Sequence, residues 1–192
     1  MTRWWWVRHG PTHQKAFTGW RDVPADLSDT GKIERLRAAL PEGATVVSSD
    51  LIRAIETANA IAPDGARLPH EPALREINFG IWDGMHFRDI AKRDPDLSRA
   101  FWETPGEIAP PDGESWNAVA ARCARFVDRI NEDQSVTDIV AVAHFGVILT
   151  QVQLALSLTP YEALAHDIEP LSLTCLSFDN AAWSVQSINQ VF

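Results

Sequence analysis

The chain has 192 residues, 45% of them hydrophobic and 22% charged, with a formal net charge of −9. This balance excludes a disordered chain, and the length suits one domain across residues 1–192 with a full core. An acidic surface of this kind speaks against nucleic acid and anionic membranes as partners, because both are bound by neutralising their phosphates.

Strands and helices alternate along the sequence. Trp4 to Val7 reads as a buried strand that ends at Arg8-His9-Gly10. Residues 11–27 read as a loop, and Ser28 as the N-cap of a helix with Ile33, Leu36 and Leu40 on one face. Ala44 to Val47 is a second strand. Asp50 or Ser49 is placed to cap the next helix, with Ile52, Ile55 and Ile61 inward. An irregular stretch follows over 63–83, opened by Pro63, and then one or two short helices over 84–103. Residues 114–131 give the clearest helix, with Trp116, Val119, Cys123, Phe126, Val127 and Ile130 at helical spacing. Ile139 to Ala143 is a third strand ending at His144. Residues 147–157 read as a helix and Pro160 opens another. Leu171–Phe178 and Trp183–Ile188 read as closing strands joined by a turn at Asp179-Asn180. The alternation predicts an α/β fold: a three-layer α/β/α sandwich with a mostly parallel central sheet.

In such sheets ligands bind beyond the carboxyl ends of the strands, where His9, His144 and Ser48-Ser49-Asp50 fall here. A neutral imidazole at a strand end is a competent nucleophile, Gly10 permits close backbone approach, and Arg8 offers a planar fork matched to phosphate. Arg53, in the first turn of its helix, shares that electropositive end; the plainer alternative is a solvated Arg pairing with Glu56 or Glu34. Glu76 beside Arg75 has the alternative of a surface ion pair, and His144 that of a hydrogen-bonded strand-end residue. Trp20 and Trp82 suit either a cleft wall or the core, and His13 falls beside the entrance. His70, His86 and His166 read as surface or loop residues. Cys123 and Cys175 lack a CxxC partner and read as buried thiols, without a metal or redox role. The opening Met1–Val7 does not read as a secretory signal and no apolar run approaches membrane-spanning length, so the expectation is a cytoplasmic protein.

Taken in order, these pieces resemble the histidine phosphatase superfamily, the phosphoglycerate mutase-like proteins. The resemblance runs through Arg8-His9-Gly10-Pro11-Thr12, Phe17-Thr18-Gly19-Trp20, Leu27 to Gly31 and Ser49 to Ala58. It continues through Leu74 to Gly84, Pro111 to Ser115 and Ala143-His144-Phe145-Gly146. It implies phosphate-ester chemistry on a small phosphorylated metabolite, with no metal and no other cofactor. By position it implies a phosphohistidine intermediate on His9, a cationic pocket of Arg8, Arg53 and His144, and Glu76 as general acid and base. Gly10, Thr12, Lys15, Thr18, Gly19 and Phe145 are implied as substrate-binding positions.

Two residues depart from the family pattern. Lys15 stands where an asparagine is common, which leaves open a second anion contact or a solvated side chain. Phe145 replaces a glycine and brings a ring that narrows or lines the pocket. The segment 84–113 is short and acidic on balance, and it lacks the paired arginines of the mutases. It resembles the phosphatase branch. A 2,3-bisphosphoglycerate-dependent phosphoglycerate mutase is the alternative, and a non-catalytic phosphate-ligand binding protein a second one. Monomer and homodimer both stay open.

Overall fold

The computed structural model describes every residue except 63 and 134, so Pro63 lies outside the described residues. The described residues include six strands: β1 (Thr2–Arg8), β2 (Thr45–Ser48), β3 (Ala66–Arg67), β4 (Asp138–Ala143), β5 (Leu173–Asp179) and β6 (Ala182–Gln190). They form one sheet in the order β3-β2-β4-β1-β5-β6. The first four in that order run parallel, while β5 lies antiparallel to β1 and β6 antiparallel to β5. The sheet is thus mostly parallel, with an antiparallel hairpin on one flank. That hairpin turns at Asn180-Ala181, one residue later than the sequence predicts, and both residues take positive φ (48° and 61°) as a two-residue turn on twisted strands demands.

Alternation along the strands sorts the core into two layers. Trp4, Trp6, Ile139, Ala141 and Ala143 face one side; Val7, Val140 and Val142 face the other. On the first side lie α3 (Phe87–Arg93), α4 (Pro95–Glu103), α5 (Trp116–Glu132) and α6 (Phe145–Leu156). On the second lie α1 (Thr30–Ala39) and α2 (Ile52–Ile61). A short helix, α7 (Pro160–Ala163), follows α6 behind a Thr159–Glu162 capping box. The Trp4 and Trp6 rings stack at 5.1 Å with an 11° interplanar angle, and both are fully buried. Truncating either to alanine is expected to cost about 3–5 kcal/mol.

Two helix starts differ from the sequence reading. Asp29, not Ser28, caps α1 by accepting from the Lys32 N–H at 2.9 Å. At α2 neither Ser49 nor Asp50 is the cap. Asp50 is drawn off into a bidentate pair with Arg75, and the Ile52 N–H donates instead to Asp22, thirty residues earlier. The buried face of α2 is also rotated. Arg53, Ala54, Thr57, Ala58 and Ile61 are buried, whereas Ile52 and Ile55 are only half-buried. The helix turns its small and polar residues to the sheet because Arg53 must reach the strand ends.

Candidate active site

Strands β2, β4 and β1 are neighbours, so their carboxyl ends place Ser48, His144 and His9 side by side. The His9 N–H donates to the Ala143 carbonyl at 3.1 Å, which carries strand pairing one residue past β1. The two imidazole rings lie 5.0 Å apart. Gly10 donates its N–H to Thr57 Oγ1 at 3.0 Å, and Thr57 donates in turn to the Arg53 carbonyl at 2.7 Å. A Cβ at Gly10 would stand 2.7 Å from Leu27 Cδ2 and 3.0 Å from the Asp26 carbonyl, so the turn after His9 has no room for a side chain.

Arg53 is fully buried at the centre of this group. Its Nε points at His9 Nε2 (3.3 Å) and His144 Nδ1 (3.2 Å); Nη1 donates to the Arg21 carbonyl (2.9 Å) and Nη2 to the Gly19 carbonyl (2.6 Å). Neither Glu56 nor Glu34 takes part. Both carbonyls belong to a loop held by a single carboxylate. The N–H groups of Gly19, Trp20 and Arg21 all donate to Asp83, at 3.1, 2.9 and 3.0 Å. A side chain on Gly19 would strike the Ile77 carbonyl, so the loop closes directly on the Glu76 segment.

The hydrogen bonds also assign the imidazole tautomers. His9 Nδ1–H donates to the Gly10 carbonyl at 2.7 Å, which leaves the lone pair on Nε2. His144 Nδ1 accepts from Arg53, so its proton sits on Nε2. Burial, reinforced by the Arg53 charge, pulls the His9 pKa down to about 3, against a smaller opposing effect of the Gly10 bond. His144 is lowered too, first by burial and then by His9 and Arg53. Both rings are therefore neutral at pH 7. Among the described residues, neither His144 Nε2 nor Arg8 Nε has a hydrogen-bond partner, though both atoms are buried. Arg8 Nη1 is anchored on the Ile168 carbonyl, and its guanidinium lies 5.4 Å from the centre of the Phe145 ring.

Glu76 is buried with 7% exposure. Its Oε1 accepts from the Ile77 N–H (2.9 Å) and from the Gly146 N–H in the first turn of α6 (3.0 Å). Burial pushes its pKa up, with the Ile77 bond and the charges of Arg53 and Arg8 opposing. The Glu76 carbonyl receives two donors, Trp20 Nε1 and Arg122 Nη2, each at 2.8 Å. Arg122 also clamps Glu114 through Nε and Nη2. Arg75 pairs with Asp50 and not with Glu76.

A cleft of about 230 Å³ opens over these groups. Arg8, His9, Arg53 and Glu76 form its inner end, and Thr12, Gln14 and Thr18 supply neutral polar lining. Phe17, Phe79, Trp102 and Phe145 form an apolar wall. Of the implied substrate-binding positions, Thr12, Thr18 and Phe145 reach the cleft, while Gly10 and Gly19 shape the backbone around it. Lys15 is exposed and outside the cleft lining. His13 is not itself a lining residue, although its neighbours Thr12 and Gln14 are: it is exposed and bonded to Asp26 at 2.7 Å. Trp82 is core, with its indole N–H on Asp94. Sequence reasoning missed Asp83, Arg122, Phe17, Phe79 and Trp102. The first two act through contacts distant in sequence, and the aromatic residues read equally well as core. Among the described residues no group of three or more His, Cys, Asp or Glu side chains is arranged to hold a metal ion, and no helix is long and apolar enough to cross a membrane.

The family model described as "Histidine phosphatase superfamily (branch 1)" matches residues 4–191. The "Adenosylcobalamin/alpha-ribazole phosphatase" of Escherichia coli K12 is 29% identical over 198 residues, which cover 99% of this chain and 92% of that protein. Among solved structures, Bacillus stearothermophilus YhfR superposes with a TM-score of 0.91 at 25% identity, covering 100% of this chain and 98% of the other. A mycobacterial glucosyl-3-phosphoglycerate phosphatase, Rv2419c, superposes with a TM-score of 0.85, also at 25% identity, with full coverage of both chains.

Proposed function

The chain belongs to branch 1 of the histidine phosphatase superfamily, and from that membership we propose that it is a phosphomonoesterase acting on a small phosphorylated metabolite through a phosphohistidine on His9. The observation that carries this reading is the cleft that gathers Arg8, His9, Arg53 and Glu76: His9 Nε2 carries no proton and its lone pair faces the Arg53 Nε–H, while two buried donors, Arg8 Nε in the cleft lining and Nε2 of His144, which shares that Arg53 N–H, have no partner among the described residues. Buried donors without partners are costly. The equatorial oxygens of a phosphoryl group would satisfy them, and fixed donors of this kind stabilise the charge that spreads over those oxygens in the transition state.

In the first step the His9 Nε2 lone pair forms the N–P bond as the P–O ester bond breaks, and Glu76 gives its proton to the departing oxygen. The raised pKa of Glu76 keeps that proton available. In the second step water attacks phosphorus, its proton passes to the Glu76 carboxylate, and the N–P bond electrons return to His9. The products are an alcohol and inorganic phosphate. Hydrolysis is favoured over return of the phosphoryl group because Trp102 is the sole residue of 84–113 in the described cleft lining, and that segment adds no basic group there. The two buried free thiols, Cys123 and Cys175, suit a reducing compartment, and we place the enzyme in the cytoplasm as one domain over residues 1–192.

The test is rapid-quench analysis with a phosphate-labelled aryl phosphate. An acid-labile, alkali-stable phosphoenzyme should form in the wild type and be lost in His9→Ala together with turnover. Full activity in His9→Ala would overturn the mechanism. Label transfer from phosphoglycerate to a second phosphoglycerate position, in place of release as phosphate, would overturn hydrolysis in favour of a mutase.

A further inference from the structure

The outer half of the cleft differs in chemistry from the inner half. Phe17 lies 4.9 Å from Phe79 and 5.8 Å, edge-on, from Trp102, so three rings form one continuous surface. Trp102 keeps 39% of its surface exposed at the mouth, on the last turn of α4. Phe145 supplies a further ring beside Arg8. The other outer groups, Thr12, Gln14 and Thr18, carry no charge.

Cations near the mouth are outside the cleft lining. Lys15 is exposed and not among the lining residues, Arg21 is bonded to Asp83 through Nε at 3.2 Å, and Arg99 lines an adjoining hollow that shares Phe17 and Trp102 with the cleft. Arg8 and Arg53, the two basic side chains of the described lining, both lie at the phosphate end. A carboxylate or second phosphate on the leaving group would therefore be desolvated against aromatic carbon without a counter-charge.

From these observations we infer that the leaving group of the substrate is an uncharged alcohol with a flat or apolar body, packed on Phe17, Phe79, Trp102 and Phe145, and that Trp102 is a specificity-determining residue. The inference rests on the phosphatase reading above and narrows its substrate class. Recognition then has two parts: the charged inner end takes the phosphoryl group, and the ring wall takes the carbon skeleton by area burial.

The test compares three alkyl phosphates with poorly reactive leaving groups, so that ring recognition is not confused with leaving-group ability: 2-phenylethyl phosphate, glycerol 1-phosphate and 3-phosphoglycerate. In the wild type, kcat/KM for 2-phenylethyl phosphate should exceed that for glycerol 1-phosphate by about tenfold or more, with 3-phosphoglycerate poorest. Trp102→Ala should lower the phenylethyl-to-glycerol ratio by about fivefold or more, chiefly through KM, and Trp102→Phe should restore most of it. Because Trp102 is part-exposed, Trp102→Gln provides a second variant should the alanine form fold poorly. The inference is overturned if 3-phosphoglycerate is turned over as well as 2-phenylethyl phosphate, or if the ratio is unmoved in Trp102→Ala and Trp102→Gln; turnover with a phosphohistidine would then leave the phosphatase reading standing. Turnover of none of the three, with His9 unphosphorylated, overturns both.

Discussion

Arg53 Nε lies 3.3 Å from the Nε2 atom of His9, so the buried guanidinium directly abuts the proposed point of attack on phosphorus. The same N–H is shared with His144, while the two terminal nitrogens grip the Gly19 and Arg21 carbonyls. A lysine is a single point charge on a flexible stem and cannot span these four acceptors. Arg53→Lys should lower kcat/KM by about 100-fold or more. It should also destabilise the fold by about 1–3 kcal/mol through the orphaned carbonyls. Steady-state kinetics and a urea midpoint check both; an active, equally stable lysine variant would contradict the arrangement.

The pH–rate profile should carry the mark of Glu76. Its raised pKa means that the protonated acid needed for the first step is lost as pH rises through that value, so kcat/KM falls on the alkaline side. His9, held down at about 3, stays an unprotonated nucleophile well below pH 6.5 and contributes no inflection there. Once the profile is corrected for the substrate's own ionisation near pH 6, Glu76→Gln should abolish the alkaline limb. It should lower kcat by about 10²–10⁴-fold on alkyl phosphates, and less on nitrophenyl phosphate, whose leaving group needs no proton.

Stability should depend on pH through the buried imidazoles. A histidine whose folded pKa is depressed binds fewer protons in the folded state than in the unfolded one. Its contribution is complete above the unfolded value near 6.5 and is lost as pH falls toward 3. Between pH 6.5 and 4.5, His9 alone should cost about 2–3 kcal/mol of unfolding free energy, and His144 adds to it in the same direction. Glu76, raised, works in the opposite sense, so Glu76→Gln should steepen the acid loss and His9→Gln should flatten it. Urea melts at the two pH values decide the matter; identical pH slopes in His9→Gln and the wild type would count against a neutral buried His9.

Gly146 tests the placement of the acid. A Cβ there would stand 2.6 Å from Glu76 Oε1 and 2.9 Å from Ile77 Cδ1. Gly146→Ala should displace the carboxyl group and lower kcat by about 100-fold. Helix α6 itself gains from alanine by up to about 1 kcal/mol, while crowding of the buried Glu76 and Ile77 side chains costs about 1–3 kcal/mol, so the fold should lose about 0–2 kcal/mol. Undiminished turnover in this variant would show that the Glu76 carboxyl does not need the position it holds against α6.

Much of this site is readable in one dimension. Arg8-His9-Gly10 and Ala143-His144 advertise themselves at the ends of apolar runs, and parallel pairing of β1 with β4 does the rest. The inward face of α2 is not readable that way. Its isoleucines suggest one face, but the buried charge of Arg53 decides the rotation, and a hydrophobic pattern gives a buried arginine the wrong sign. Longer ties leave still less local trace. Asp83 holds the loop at Gly19–Arg21 from 62 to 64 residues away, and Arg122 reaches the Glu76 carbonyl across 46. Trp102 sits in an amphipathic helix without any motif, and only the folded chain brings it opposite Phe17.

Helices α3 and α4 add one ring to the cleft lining and none of the groups around His9 Nε2, which come from β1, α2, the start of α6 and the Glu76 segment. The molecule is in this respect modular. On the proposed reading, exchange of the exposed positions between Gly84 and Gly113, with Ile90 and Phe101 kept in the core, would retune which alcohol is accepted while the groups around His9 stayed in place, a route to new substrates without new reaction chemistry.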